Sequence, residues 1–331
     1  MFAVVLVGGF GTRLRPLTDH VPKPMLPVLN RPMIVNLVDR LAAGGITDVV
    51  LALGFKPEPF ATAFSDGRHG DVRVHYAVEP EPLDTAGAIA FAARSAGIDE
   101  VFVVVNGDVV TDLDIAFLIS EHRRFGLAGT IHLTPVEDPS DFGVVEMDEQ
   151  GLVRRFLKKP QPGETDSNLI NAGTYVLEPT VLEMIPPNRR ISIERDTFQQ
   201  MVVEGLLAGV ATTDYWLDTG RPEQFLQANL DLVRGVRGPA RNGTAPGALV
   251  SPEAVVIESV VSKDATVAAG ATVIGSVLLP GARIDDDADV RGSIVAGQVG
   301  AGAIVEGCVI GSGYTVQAGT HAVGQRLPVP E

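Results

Sequence analysis

The chain has 331 residues, a formal net charge of −15, 45% hydrophobic residues and 20% charged residues. That length and balance suit one large or two ordinary globular domains. The acidic excess argues against nucleic acid or an anionic membrane as the main partner, because both demand a broad cationic surface. Small anionic substrates stay open wherever positive charge is gathered locally.

The opening "MFAVVLVGG" is a short apolar run without a basic lead or a cleavage site, and it reads as a buried strand, not a signal peptide. No apolar stretch approaches membrane-spanning length. Cys308 is the single cysteine, which excludes a disulfide framework or a cysteine metal cluster within the chain and fits a cytoplasmic protein. Directly after the strand, "LVGGFGTRLRPLTDHVPKPMLPV" (Leu6 to Val28) crowds Gly8, Gly9 and Gly11 together and carries Arg13, Arg15 and Lys23 against one acid, Asp19. A dinucleotide fingerprint fails here, since the third glycine is missing and Pro16, Pro22, Pro24 and Pro27 forbid the helix it needs. A Walker A loop fails too, for want of Gly-Lys-Ser/Thr. The glycines still let main-chain N–H groups approach an anion, and Arg13 and Lys23 can neutralise it. A plain turn with solvated arginines is the other reading of the same residues.

Further along, "DVVLAL", "VRVHYAV" and "VFVVVN" read as buried strands, and "PMIVNLVDRLAAG", "TAGAIAFAARSAG" and "IAFLISEHRRFG" show helical spacing. This alternation predicts a largely parallel sheet with crossover helices. From Ala128 the chain turns strand-rich, with "DEQG" as a hairpin turn, and a helix from about Pro222 to Arg234 closes this part. The Gly-, Pro- and Arg-rich "RGVRGPARNGTAPG" reads as a linker. Beyond about Ala248 an aliphatic residue recurs every six positions: Val261, Val267, Val273, then Ile284 and Val290, then Ile304, Ile310 and Val316. That period fits a left-handed parallel β-helix of roughly four coils, each hexad forming one side of a triangular turn. The predicted fold is therefore α/β, a Rossmann-like mixed and mostly parallel sheet followed by a C-terminal left-handed parallel β-helix. The predicted division is a catalytic domain at 1–234, a linker at 235–247 and the β-helix at 248–331.

"GGFGTRLRPLT" followed by "KPMLPV" resembles the opening signature of the nucleoside-diphosphate-sugar pyrophosphorylases, the sugar-1-phosphate nucleotidylyltransferases. The resemblance continues in order through "NGD" (Asn106 to Asp108), "RFLKKP" (Arg155 to Pro160), "NAGTYVL" (Asn171 to Leu177), "ISIERDTF" (Ile191 to Phe198) and "YWLDTG" (Tyr215 to Gly220). Within the family, the run is most similar to the mannose-1-phosphate guanylyltransferases. The resemblance implies transfer of a nucleotidyl group from an NTP, GTP favoured, to a sugar-1-phosphate, mannose-1-phosphate favoured, with release of pyrophosphate. The attacking phosphate oxygen is already ionised, so positioning and charge neutralisation carry the reaction.

By the same resemblance Asp108 and Asp218 hold Mg²⁺, whose preference for a few carboxylates plus substrate phosphates suits them. Arg13 grips the leaving pyrophosphate, Lys23 lies beside the nucleotide phosphates, and Lys159 holds the sugar-linked phosphate. Leu6, Gly8, Gly9, Gly11 and Thr12 line the nucleotide, and Thr85, Ala86 and Gly87 with Glu79 occupy the base-recognition segment "VEPEPLDTAGA". Glu79 stands where thymidylyl relatives carry glutamine. A carboxylate only accepts hydrogen bonds, which suits the paired N1–H and N2–H donors of guanine. Asp84 replaces a common glycine. Gly143, Lys158, Lys159, Asn171, Gly173 and Glu194 fall on the sugar-phosphate side. Lys158 departs from the glutamate usual there, which leaves the sugar open. The alternatives are a glucose-1-phosphate thymidylyltransferase and a catalytically weak regulatory homologue that binds nucleotide-sugar. Acyl transfer by the β-helix is disfavoured, since its one histidine, His321, lies near the end. The flat faces of the β-helix suit a homo-oligomer instead.

Overall fold

The computed structural model describes residues 1–9, 11–54, 58–140, 142–158, 161 and 163–330. Lys159 and the side chain of Lys158 lie outside the described residues. The chain forms two compact units, Met1–Gly9 with Ile34–Trp216, and Phe10–Met33 with Leu217–Glu331. The basic loop after the first strand thus groups with the C-terminal part of the chain.

In the first unit, strands β1 (Phe2–Leu6), β2 (Asp48–Leu53), β3 (Val72–Val78) and β4 (Phe102–Asn106) are parallel, β1 lying between β2 and β4. Their near-continuous apolar runs follow from burial on both faces: Ala3, Val4, Val5, Phe102, Val103 and Val104 keep no exposure. Helices α1 (Met33–Ala43), α2 (Asp84–Ser95) and α3 (Ile115–Phe125) make the crossovers. Helix α3 starts where Asp114 Oδ1 accepts from the Phe117 amide and stops at left-handed Gly126, the expected cap chemistry at each end.

The second half of the unit is strand-rich: β5 (Gly129–Pro135), β6 (Gly143–Met147), β7 (Val153–Lys158), β8 (Leu169–Leu177) and β9 (Leu207–Ala211), with a short helix α4 (Phe198–Val203) between the last two. β8 runs antiparallel to β4, which makes the sheet mixed, in the order β7-β6-β8-β4-β1-β2-β3, with β5 branching from β8 and β9 pairing with β5. The "DEQG" turn closes with the Gly151 amide donating to the Asp148 carbonyl at 3.0 Å. Two consequences position the site. Leu6 pairs Asn106 in register, so the carboxyl ends of β1 and β4 lie side by side, the usual ligand edge of an open α/β sheet. The pairing of β8 with β5 breaks register between Asn171 and Tyr175, which re-aims the side chains there.

In the second unit, helix α5 (Pro222–Arg234) ends at left-handed Gly235, as its sequence predicts. Residues from Leu249 onward form a left-handed parallel β-helix of three sheets with five strands each. Five rungs replace the roughly four coils expected. Val261, Leu278, Val295, Ile310 and Leu327 stack in register down one sheet. Successive partners are 17 residues apart except Val295 and Ile310, which are 15 apart. One residue is corrected: core positions step by five from Val305 to Ile310, as they do from Val290 to Val295, so Val305, with no exposure, faces the core, and Ile304, 38% exposed, faces out. One corner carries a buried ladder. Ser276, Ser293 and Cys308 donate their amides to Ser259 Oγ, Ser276 Oγ and Ser293 Oγ at 3.0–3.1 Å, which satisfies main-chain groups that water does not reach. Among the described residues, no helix is long and apolar enough to cross a membrane.

Candidate functional site

The first unit gathers the residues expected at the base and sugar. At the end of β1, Gly8 faces the main chain of Gly54, and a Cβ there would stand 3.2 Å from the Gly54 nitrogen and 3.8 Å from Glu79 Oε1. Glu79 is buried at 8% exposure, and its Oε2 accepts from the Leu83 amide at 2.8 Å. Burial pushes its carboxyl up from the ordinary range, and the Leu83 N–H pulls it partly back. The other oxygen, Oε1, lies on the Gly8 side. Gly9 has open space on its Cβ side.

Asp84 takes φ 59°, the left-handed region that glycine enters freely. A glycine, which the family resemblance implies there, would take this conformation without strain. The strained aspartate is held by Arg195, 2.6 Å away, and accepts from the Thr85 amide at 2.8 Å. The Ala86 and Gly87 amides both donate to the Ile191 carbonyl, at 2.9 and 3.2 Å, and Thr85 Oγ1 accepts from the Ile193 amide. A Cβ on Gly87 would meet the Arg189 carbonyl at 2.6 Å, so glycine is what allows that close crossing. Thr85, Ala86 and Gly87 therefore spend these groups bracing the start of α2 against "ISIERDTF".

The register break in β8 builds a polar cluster. Asn171 Nδ2 donates to Glu194 Oε1 at 2.6 Å and to the Tyr175 hydroxyl at 2.9 Å, while its Oδ1 accepts from the Gly173 amide at 2.9 Å. Gly173 has φ 78°, and a Cβ there would stand 2.5 Å from Asn106 Nδ2. Gly143 lies beside the same group, since its Cβ would stand 3.8 Å from Glu194 Oε1. Gly143, Asn171, Gly173 and Glu194 thus lie together. Asn106 and Tyr175 join them, although neither is singled out in the sequence reading; both lie inside recognisable runs, "NGD" and "NAGTYVL". Burial and the nearby Glu194 carboxylate push the Tyr175 phenol up, so it stays a neutral hydroxyl, which accepts from Asn171. Trp216 Nε1 donates to the Ala172 carbonyl at 2.9 Å and fixes the next stretch of strand. Asp108 follows β4 directly and is half-buried.

The second unit holds several of the residues expected beside the phosphates. Gly11 sits at φ 61°, with its Cβ side 3.2 Å from Lys23 Cβ, and starts a single 3₁₀ turn, Thr12–Leu14. The helix of a dinucleotide loop is absent, as the prolines require. Lys23 opens a second such turn, Lys23–Met25, and is buried at 5% exposure with Nζ 3.6 Å from Asp218 Oδ1. A Cβ on Gly220 would meet Arg13 Nη2 at 2.8 Å and Asp218 Oδ1 at 3.1 Å, so guanidinium and carboxylate converge on one face of that glycine. Arg13, Lys23 and Asp218 therefore form one compact group of two cations and an acid. Among the described residues there is no cluster of three or more His, Cys, Asp or Glu that could hold a metal alone. A carboxylate such as Asp218 suits a hard cation that brings phosphate and water ligands with it.

The sequence model of the nucleotidyl transferase family matches residues 2–235. The chain belongs to that family. In this nucleotidyl transferase a second match, to the GlmU-like C-terminal hexapeptide repeat, covers residues 237–326. The mannose-1-phosphate guanylyltransferase of Mycobacterium tuberculosis is 41% identical over 293 residues, covering 86% of this chain and 81% of its own. The mannose-1-phosphate guanyltransferase of Schizosaccharomyces pombe is 39% identical over 267 residues, 77% of this chain and 73% of its own. Among solved structures, HddC from Yersinia pseudotuberculosis superposes with TM-score 0.59 at 28% identity, covering 69% of this chain and 97% of that one. HddC has also been solved complexed with GMP-PN, with the same coverage.

Proposed function

We propose that this nucleotidyl transferase transfers a guanylyl group from GTP to mannose-1-phosphate, giving GDP-mannose and pyrophosphate. The observation that carries the choice of base is the buried Glu79 carboxylate, with one oxygen held by Leu83 and the other toward Gly8. A carboxylate at that depth rewards a base with two adjacent N–H donors and repels one that offers a carbonyl. The names of the mycobacterial and yeast relatives and the GMP-PN complex of HddC support the same base.

The sugar phosphate oxygen forms a new bond to the α-phosphorus, and the α–β bridging bond breaks to release pyrophosphate. Arg13 and Lys23 neutralise the departing phosphates, and Lys159 holds the incoming one. Leu6, Gly8, Gly9, Gly11 and Thr12 line the nucleotide, while Thr85, Ala86 and Gly87 shape its rim through the braces described above. Asn171, Glu194, Gly143 and Gly173 receive the sugar, with Lys158 nearby in sequence. Asp108 and Asp218 would hold a divalent cation, Mg²⁺, which when bound offsets charge on the α-phosphate. Asp108→Asn is expected to lower kcat by about 100-fold or more with the circular dichroism spectrum unchanged; wild-type turnover would remove Asp108 from that role.

The division into 1–234, 235–247 and 248–331 assigns chemistry to the first part and assembly to the last. We place a homo-oligomer contact on the β-helix sheet that exposes Val255, Ile257 and Val323, and a cytoplasmic site of action. The function is tested by incubating the protein with GTP, mannose-1-phosphate and Mg²⁺. GDP-mannose identified by mass supports it, and its absence under conditions where another nucleotide-sugar accumulates refutes it.

A further inference from the structure

We propose that the last coil of the β-helix positions the phosphate loop, with Arg326 as the positioning residue. This rests on the reading of Arg13 as the group that grips pyrophosphate. Arg326 Nη1 donates to the main-chain carbonyl of Arg13 at 2.8 Å, across 313 residues of sequence. That carbonyl needs an outside donor for a local reason. In the 3₁₀ turn the Leu14 amide donates to the Gly11 carbonyl and the Arg15 amide to the Thr12 carbonyl, at 2.9 and 3.2 Å. The next bond of the series would run from residue 16 to the Arg13 carbonyl, but residue 16 is proline and has no N–H. A guanidinium supplies the missing donor, and a charged donor on a neutral carbonyl is among the stronger such bonds.

A second contact fixes the same loop from the same coil. Gly311 is buried, and a Cβ there would stand 2.8 Å from Pro16 Cβ and 2.9 Å from Pro16 Cγ. The Gly311 amide donates to the Leu327 carbonyl at 2.7 Å, which ties this point to the strand that carries Arg326. The proline ring rests on a glycine floor while the arginine pins the peptide between residues 13 and 14. Pinning that peptide sets the direction in which the Arg13 side chain leaves the main chain toward Gly220 and Asp218. The β-helix therefore contributes to nucleotide binding as well as lying beside it in sequence.

The test uses the full chain with Arg326→Ala, Arg326→Lys, Gly311→Ala and Arg13→Ala, reading kcat, KM for each substrate, melting temperature, and GTP binding by calorimetry. Arg326→Ala is expected to weaken GTP binding and raise KM for GTP by about 5- to 20-fold, the loss of one partly exposed charged hydrogen bond. KM for mannose-1-phosphate and the melting temperature stay near wild type, and Arg326→Lys recovers part of the loss. Gly311→Ala reproduces the signature by pressing on Pro16 while leaving Arg326 in place. Wild-type GTP binding in both Arg326→Ala and Gly311→Ala, with Arg13→Ala impaired, overturns the role of the coil alone. A parallel rise in both KM values with a lowered melting temperature also overturns it, since that marks a general structural role. Wild-type GTP binding in Arg13→Ala overturns the assignment of Arg13 itself, and the proposal with it.

Discussion

Lys23 Nζ stands 3.6 Å from Asp218 Oδ1, and the lysine keeps only 5% exposure. A buried ammonium needs a counter-charge, and Asp218 supplies one. Asp218→Asn is expected to lower kcat by about 100-fold or more and to cost about 1–3 kcal/mol of stability, below the fully buried value because the carboxylate is partly exposed. Lys23→Met combined with Asp218→Asn should recover much of that stability and none of the activity. Urea denaturation alongside pyrophosphate release checks both; additive stability losses would show that the two side chains do not interact.

Glu79 governs the base. Glu79→Gln should cut the preference for GTP over dTTP by about 10- to 100-fold, since an amide presents a donor to one of the guanine donors. Burial raises the Glu79 carboxyl, so on acidification it takes up its proton sooner than an exposed glutamate would. Guanine preference in the wild type should therefore fall on the acid side while the glutamine variant stays flat. The sign for stability is the reverse. A raised folded value means that the ionised buried carboxylate subtracts stability at neutral pH, a cost that fades as pH falls through that value. Glu79→Gln is thus expected to be at least as stable as wild type at pH 7 in thermal melts, and a lower melting temperature would contradict this.

Gly173→Ala tests the polar cluster of β8. The position needs φ 78°, and the new methyl would stand 2.5 Å from Asn106 Nδ2. A loss of about 1–3 kcal/mol is expected from the backbone and the displaced amide. KM for the sugar phosphate should rise more than KM for GTP, and steady-state kinetics with each substrate varied would reveal an even effect if the cluster only supports the fold.

Lys158→Glu introduces the glutamate that the family resemblance implies at this position. It should improve kcat/KM for mannose-1-phosphate severalfold, by adding an acceptor for sugar hydroxyls. Unchanged kinetics would make Lys158 a surface residue without a part in sugar choice.

Much of this arrangement is legible along the chain because it is local. Proline spacing forbids a helix after Gly11, and two single 3₁₀ turns stand there. The helix over Pro222–Arg234 follows from a proline at its first position and a glycine after its last. The six-residue period reveals the β-helix, yet one side of each coil is five residues long, as from Val305 to Ile310, and so Ile304 is read as core in place of Val305. What stays illegible is distant. Asn106 reaches Gly173 only because β4 and β8 are neighbours in the sheet, and Arg326 meets Arg13 only because the chain returns after 313 residues. No spacing rule records such meetings.

The most direct measurement is a matrix of GTP, dTTP, ATP and UTP against mannose-1-phosphate and glucose-1-phosphate, read as the initial rate of pyrophosphate release. GTP with mannose-1-phosphate is expected to give the highest kcat/KM in the matrix. A faster rate with dTTP than with GTP for both sugars would contradict it, because the Glu79 carboxylate would then have no part in choosing the base.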